Sequence, residues 1–553
     1  MIDTTKPQEL WDAYEKGRDW KSNIDLYETV EENERFYVGD QWHGLNAPNI
    51  IKPVLNHLKR VVSMLVAKIA ADDIAAKITP FLTDEASEQT AKMISHEVDM
   101  VMELLNIKQM AKRGVRNAAV DGDGCVYTYW DADAPTGQDS KGMVAAELIE
   151  NINVYFANPH TVDVQGQRFI IIARRLPVED VRERAESNGV KKLDIDDIKP
   201  DDDSHQGEEN DNGLCTLLTV LFRKGDTIHA VETTEKVIVR REWDTELHRY
   251  PVAWLPWEIQ RSRMHGRAAI TDMIPNQIAI NKVYAGLIRV MERMGFPIML
   301  LNRDYMKGFN GMPGSILEIS GAPMDVRQFA AYLEGAPINP NITAITDNLI
   351  NQTRDTMGTN DATTGDVRPD NASAIIALQT ADTVPLELIR QNYNGFIEDI
   401  VRNIVDMMSA NYGIRMVEQD IVDEMGQPQT VMKEFDFDSI EYENLRVSVD
   451  IGAASMWSEI TQMDAINSIF TSGIMDDVNR FKLYLETVPD KYVPNKAKLL
   501  AWCDEQMQAM QAPAPVNALP TGELTNEPYG GMPLEYNAPT IAQEGILTFS
   551  KNT

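Results

Sequence analysis

Arg116-Asn117-Ala118-Ala119-Val120-Asp121-Gly122-Asp123-Gly124-Cys125-Val126-Tyr127-Thr128-Tyr129-Trp130 is where the chain changes character. Upstream, Ile94, Val98, Val101, Met102, Leu105 and Met110 recur at helical spacing and predict one helix from an N-cap at Asp84 to about Val120. Downstream, 125–130 alternates in strand fashion, as do 152–156 and 169–173. Asp121-Gly122-Asp123-Gly124 mimics the start of a calcium loop. The fifth and twelfth loop positions fall on Cys125 and Ala132, which supply no suitable oxygen, so the stretch reads as a helix-to-strand turn. Helices then strands, without alternating βαβ units, make the class α+β and multi-domain.

Working outward, 8–42 reads as one long helix stopped at Gly39-Asp40, and 54–71 as a second with Leu55, Leu58, Val62, Leu65, Val66 and Ile69 on one side. Pro80 closes a short strand, and 177–187 starts a short helix. The stretch 194–212 is acidic and nearly free of apolar residues, a mobile solvated loop by composition. Strands follow at 214–222, 227–231 and 236–242, the first two joined by Lys224-Gly225-Asp226 as a hairpin. From Gly266 a helix runs to Gly295 and Pro297. After it come short strands and turns to 340, a helix at 342–357, a polar loop at 358–371 and a long helix at 373–412 that Pro385 should kink. Strands return at 415–450, a helical block occupies 458–510, and six prolines mark an extended tail.

The chain has 553 residues, beyond the roughly 250–300 that one core sustains. Apolar residues at 43% and charged residues at 25% are ordinary for a folded protein. No run is long and apolar enough for a membrane helix, and no secretory signal is visible. Cys125, Cys215 and Cys503 are too scattered for a disulfide framework and fit a reducing compartment. With 52 Lys and Arg against 85 Asp and Glu, the net charge of −33 excludes tight nucleic-acid binding over most of the surface. Residues 259–310 are the exception, with eight bases against three acids.

No phosphate loop, dinucleotide fingerprint, H-E-x-x-H, C-x-x-C or G-x-S-x-G occurs. No catalytic residue, metal site or cofactor is assigned. An alternative remains a motif-poor, metal-dependent cytoplasmic enzyme using Asp121, Asp123, Asp131 and Asp133.

The order of elements resembles the portal, or head-to-tail connector, proteins of tailed double-stranded-DNA bacteriophages. The pieces that carry the resemblance are Arg35-Phe-Tyr-Val-Gly-Asp-Gln-Trp42 ending the first helix and Asn56-His57-Leu58-Lys59-Arg60-Val61-Val62 opening the next. Asn117 to Gly124 passing into a strand, Phe156-Ala-Asn-Pro159, Tyr250-Pro-Val-Ala-Trp254 and Ile274-Pro-Asn-Gln-Ile-Ala-Ile-Asn-Lys282 add to it. The succession of helix, small β block, helix, loop and kinked helix completes it.

The resemblance implies a mixed α/β wing at 1–265 carrying the acidic loop 194–212, a first stem helix at 266–295, a small β-rich clip at 296–340 and a second stem helix at 341–357. It further implies a tunnel loop at 358–373, a tunnel helix at 374–412 kinked at Pro385, a wing strand return at 413–455, a helical crown at 456–511 and a Pro-rich mobile tail at 512–553. It implies a structural, non-enzymatic ring of about twelve subunits at one capsid vertex of the virion, made in the host cytoplasm. Double-stranded DNA would pass through the ring, with the major capsid protein, scaffolding protein, terminase and head-completion or tail adaptor as partners, and no membrane. On that placement Arg267, Lys282, Arg289 and Arg293 form a stem basic belt, facing either DNA or the acids of a neighbour, motor or adaptor. Arg368, with Asp366 and Asp370, would sit in the tunnel loop. Another virion component, such as a tail adaptor or scaffold, is the remaining reading, and the strand-rich 125–260 region argues against a scaffold.

Overall fold

A computed structural model describes residues 3–48, 50–70, 74–80, 85–138, 140–201, 213–294, 298–301, 330–333, 340–356, 386–422, 428–440 and 445–451, with single positions at 482, 500 and 503. The chain divides into two units, Met1–Ala465 and Ile466–Thr553, and the helices and strands described belong to the first.

The expected first helix is two, α1 (Pro7–Asn23) and α2 (Leu26–Val38), broken where Asp25 takes a left-handed conformation at φ 55°. The break has a packing cause. Leu10, Trp11 and Tyr14 of α1 bury in one cluster with Ile171 and Leu218, whereas Phe36 of α2 buries in the main core. One straight helix could not reach both. Gly39 ends α2 at φ 108°, as its sequence position anticipates. α3 (His57–Ile69) is capped by the Asn56 side chain, which accepts from Lys59 N.

The expected helix from 84 to 120 is also two, α4 (Glu85–Leu104) and α5 (Ile107–Asp121), separated by Asn106 at φ 51°. α4 packs on β1 (Ile74–Pro80), while α5 packs on β2 (Asp123–Asp131) and α3. Asp84 lies outside the described residues.

β2 is the centre of a three-stranded antiparallel sheet ordered β3-β2-β9, with β3 at Met143–Ile149 and β9 at Val252–Pro256. β3 carries little strand signal of its own, because Ala145, Ala146, Glu147 and Leu148 are better helix formers; register with β2 makes it a strand. A five-stranded antiparallel sheet follows in chain order: β4 (Val154–Phe156), β5 (Phe169–Pro177), β6 (Leu214–Lys224), β7 (Thr227–Thr233) and β8 (Ile238–Leu247). Gly225, at φ 70°, makes the β6–β7 turn.

Between β5 and β6 lie α6 (Val178–Ser187) and a single turn, α7 (Lys192–Ile195). The start of the acidic stretch is fastened rather than solvated. Ile198 is buried, and Asp201 accepts from Thr216 N and pairs with Arg175 at 3.1 Å. The run of acids hides two anchors, because a carboxylate can cap a strand edge as well as face water. Residues 202–212 lie outside the description.

α8 (Ile274–Met294) begins later than its expected start at 266, after an irregular segment ending in a 3₁₀ turn at Thr271–Met273. β10 (Ile298–Leu301) and β11 (Ala330–Leu333) pair antiparallel, and α9 (Pro340–Thr356) follows. α10 (Glu387–Asn411) is the described part of the expected long helix; Pro385 and its kink lie outside. So do Asp366, Arg368 and Asp370, and nearly all of the expected crown and tail.

Late strands fold back onto the early half. β14 (Leu445–Ile451) pairs antiparallel with β1, Ile74 opposite Ile451, and β12 (Ile414–Val422) pairs with β13 (Pro428–Asp436). α10 buries Phe396, Ile397, Ile400, Ile404, Val405 and Met408 against β9 and β2. Among the described residues no helix is long and apolar enough to cross a membrane.

Candidate functional site at the root of an exposed basic helix

The segment leading into α8 is bolted to the head of β2. Gly122 has φ 99°, and a Cβ there would lie 2.7 Å from the Gly266 carbonyl oxygen. A Cβ on Gly266 would lie 2.7 Å from the Gly122 carbonyl. Only glycine at both positions allows the two backbones to touch. The contact is extended by Trp257 N donating to Gly122 O and Ala269 N donating to Ala119 O, both at 2.9 Å.

The side chain of Asp123 enters this joint. It is buried and accepts from Gly266 N at 2.8 Å and from His265 Nδ1 at 2.8 Å, with Asn151 Nδ2 at 3.3 Å. Burial holds the His265 imidazole below its ordinary range, so the ring is neutral with its proton on Nδ1. Its face stacks on Trp20 of α1.

Next to Trp20, Lys21 is wholly buried. Its Nζ donates to the carbonyls of Asn151 at 2.8 Å, Ile152 at 2.9 Å and Val154 at 2.7 Å, over the Tyr155 ring at 4.0 Å. Burial pulls its pKa down and Asp123 opposes that. Three carbonyl acceptors match the three N–H groups of an ammonium.

α8 itself is held by an amide ladder. Gln277 Nε2 donates to Leu55 O and to Asn281 Oδ1, Asn281 Nδ2 donates to Gln41 Oε1 at 2.5 Å, and His57 N donates to Gln277 Oε1. Asn276 Nδ2 donates to Thr353 Oγ1 at 3.2 Å. The start of α8 therefore meets the end of α9, and the two helices run antiparallel. A second clamp lies behind, where buried Asp406 of α10 accepts from the backbone N–H of His248 and of Arg249.

Lys282 and Arg289 are exposed on α8, seven residues apart and so on one face about 10 Å apart. Neither has an ion-pair partner among the described residues. Lys282 borders a groove of about 650 Å³ whose other wall carries Glu28, Glu31 and Glu32 of α2. Arg293 continues the same helical register; its side chain lies outside the description. Arg267 is not on the helix: it precedes it and is bridged to Asp272 of its own loop.

The four carboxylates of the enzyme reading do not converge. Asp121 and Asp123 stand at the head of β2 and Asp131 and Asp133 at its far end, roughly 25 Å away for a strand of this length. Asp123 is also sealed by its donors. Sequence reasoning passed over Lys21, Asn151, His265, Gln277, Asn281 and Asp406, because single polar residues on apolar faces reveal their partners only through the fold.

A family model described as Phage P22-like portal protein matches residues 12–287, from α1 through the root of α8. The chain belongs to the phage portal protein family. The match takes in the Gly122–Gly266 joint, the Asp123 knot, the amide ladder and Lys282 of this portal protein. Portal proteins are structural rather than catalytic phage proteins, in keeping with a knot of side chains that pins helices. No curated protein matches this portal chain.

Proposed function

We propose that the chain is the subunit of a ring of about twelve copies, set at one capsid vertex of the virion, through which double-stranded DNA is packaged and later ejected. The observation that carries the reading is a helix, α8, locked at its root by buried polar contacts and exposing Lys282 and Arg289 along one flank. In a ring each exposed base becomes a belt of charge. The rest of the chain is acidic, which suits a conduit, since every neutralised phosphate adds affinity and drag.

In this reading α8 and α9 are the paired stem, 296–340 is the clip where the terminase motor docks before the head-completion or tail adaptor, and 358–373 is the tunnel loop holding Arg368. The antiparallel pairing of β1 with β14 supports joining 413–455 to the first 265 residues as one wing. Exposed apolar side chains at Met291, Ile342 and Ile345 support burial of this helix pair against neighbours. Capsid and scaffolding proteins would meet the ring's outer surface.

Mass measurement in solution with negative-stain images, with and without co-expressed scaffolding protein, tests the reading. Closed rings with a central channel are expected. A chain that stays monomeric in both conditions would overturn it.

A further inference from the structure

A cleft of about 790 Å³ opens between the three-stranded and five-stranded sheets, bordered by α6 and α10. Three arginines line it, and two of them are paired. Arg184 forks onto buried Glu232, and Arg174 pairs with Glu147. Arg240 of β8 also lines the cleft, directly across the ladder from Glu232, yet that carboxylate is already held by Arg184. Among the described residues Arg240 has no ion pair; its guanidinium lies 3.7 Å over the Trp243 ring. Desolvation lowers its pKa, the Glu232 carboxylate across the ladder opposes that, and the Arg184 charge adds to the fall. A half-buried arginine stacked on an indole and without an ion pair of its own is an unfilled fork for an oxyanion.

Two further features belong to the same cleft. Thr128 and Thr219 line it, both more than nine-tenths buried, and among the described residues neither hydroxyl has a hydrogen-bond partner. β8 is an edge strand of its sheet, with register shifts along its pairing to β7, and no strand lies on its other side among the described residues.

We propose that this cleft is a docking site for an extended polypeptide segment of a partner protein, whose single carboxylate is taken by Arg240 while its backbone runs along β8. An edge strand offers backbone donors and acceptors to a peptide. Nucleic acid fits less well. Asp131, Asp133, Asp244 and Glu246 also border the cleft and are exposed, and they would repel a phosphate run carrying one charge per roughly 1.7 Å of duplex. The same rim favours neutral or basic residues on either side of the one carboxylate.

The test uses the full-length chain and a short fluorescent peptide of alternating valine and threonine, with one central glutamate and a lysine at each end. Saturable anisotropy is expected, weakened roughly tenfold or more by Arg240→Gln and by glutamine in place of the peptide's glutamate. Arg240→Lys, which keeps the charge but loses the fork and the flat stack, is expected to restore only part of the affinity. Circular dichroism and assembly mass of each variant separate a binding loss from misfolding or from failure of the ring reading. Absence of saturable binding, or equal binding by Arg240→Gln, overturns the proposal. Competition by a short DNA duplex that itself depends on Arg240 would overturn it in favour of a nucleic-acid site.

Discussion

Asp123 Oδ2 and His265 Nδ1 lie 2.8 Å apart, both buried, joining residues 142 positions apart in sequence. The bond ties the head of a central strand to the segment that launches α8. It is one of three donors on the same carboxylate, and Lys21 provides the nearby positive charge. Asp123→Ala leaves a buried ammonium without its counter-charge and takes the shared acceptor from all three donors. The expected cost is about 3–5 kcal/mol in urea unfolding. A loss below about 1 kcal/mol would show that the knot is not a stabilising centre.

The glycine pair gives a sharper comparison. Gly122→Ala must adopt an unfavourable φ and place a methyl 2.7 Å from a carbonyl oxygen that cannot move without shifting the joint. Gly225→Ala has a similar left-handed φ, 70°, with nothing within 4 Å. The hairpin variant should lose about 1 kcal/mol and the joint variant at least about twice that. Equal melting shifts would mean that the backbone contact at Gly266 is easily relieved.

Asp121 gives a pH signature. Burial pushes its carboxyl up to about 7 from 3.8, while Arg116 at 3.8 Å opposes and Glu34, Glu150 and Asp123 add to the rise. The folded state thus binds the proton more tightly than the unfolded chain. The contribution of Asp121 to stability is therefore greatest below its unfolded pKa and falls as pH rises towards its folded pKa, by at most about 1.4 kcal/mol per pH unit. Asp121→Asn should remove that fall. Its stability relative to the parent should improve by at least about 1 kcal/mol between about pH 5 and about pH 8. A difference that stays constant with pH would exclude Asp121 as the titrating group.

How much of this was legible in the sequence depends on the range of the deciding interaction. The turn at Lys224-Gly225-Asp226, the stop at Gly39 and the helix-to-strand change at Gly122 are local, and the residues announce them. The breaks at Asp25 and Asn106 are not, since neither glycine nor proline marks them; which core each half must reach sets them. β3 is a strand because β2 is beside it. Carboxylates at 121, 123, 131 and 133 looked like one cluster because sequence distance hides the length of an extended strand. The α8 bases were legible as a basic island, but the amides that root the helix were not, because Gln277 and Asn281 gain meaning only opposite Gln41 and Leu55.

The basic flank of α8 supplies the prediction closest to function. Lys282 and Arg289 are exposed and seven residues apart on a helix whose root is held by other residues. Their charge should therefore be separable from folding. Lys282→Gln with Arg289→Gln should leave melting within about 0.5 kcal/mol of the parent. If the belt faces DNA, rings of unchanged mass should form, and DNA packaged per particle should fall, with a weaker dependence on salt than in the parent. If the bases instead pair with Glu28, Glu31 and Glu32 of a neighbouring copy, ring mass itself should drop. Charge reversal at those three glutamates should then reproduce the defect. Normal rings that package normally would remove the flank from both roles.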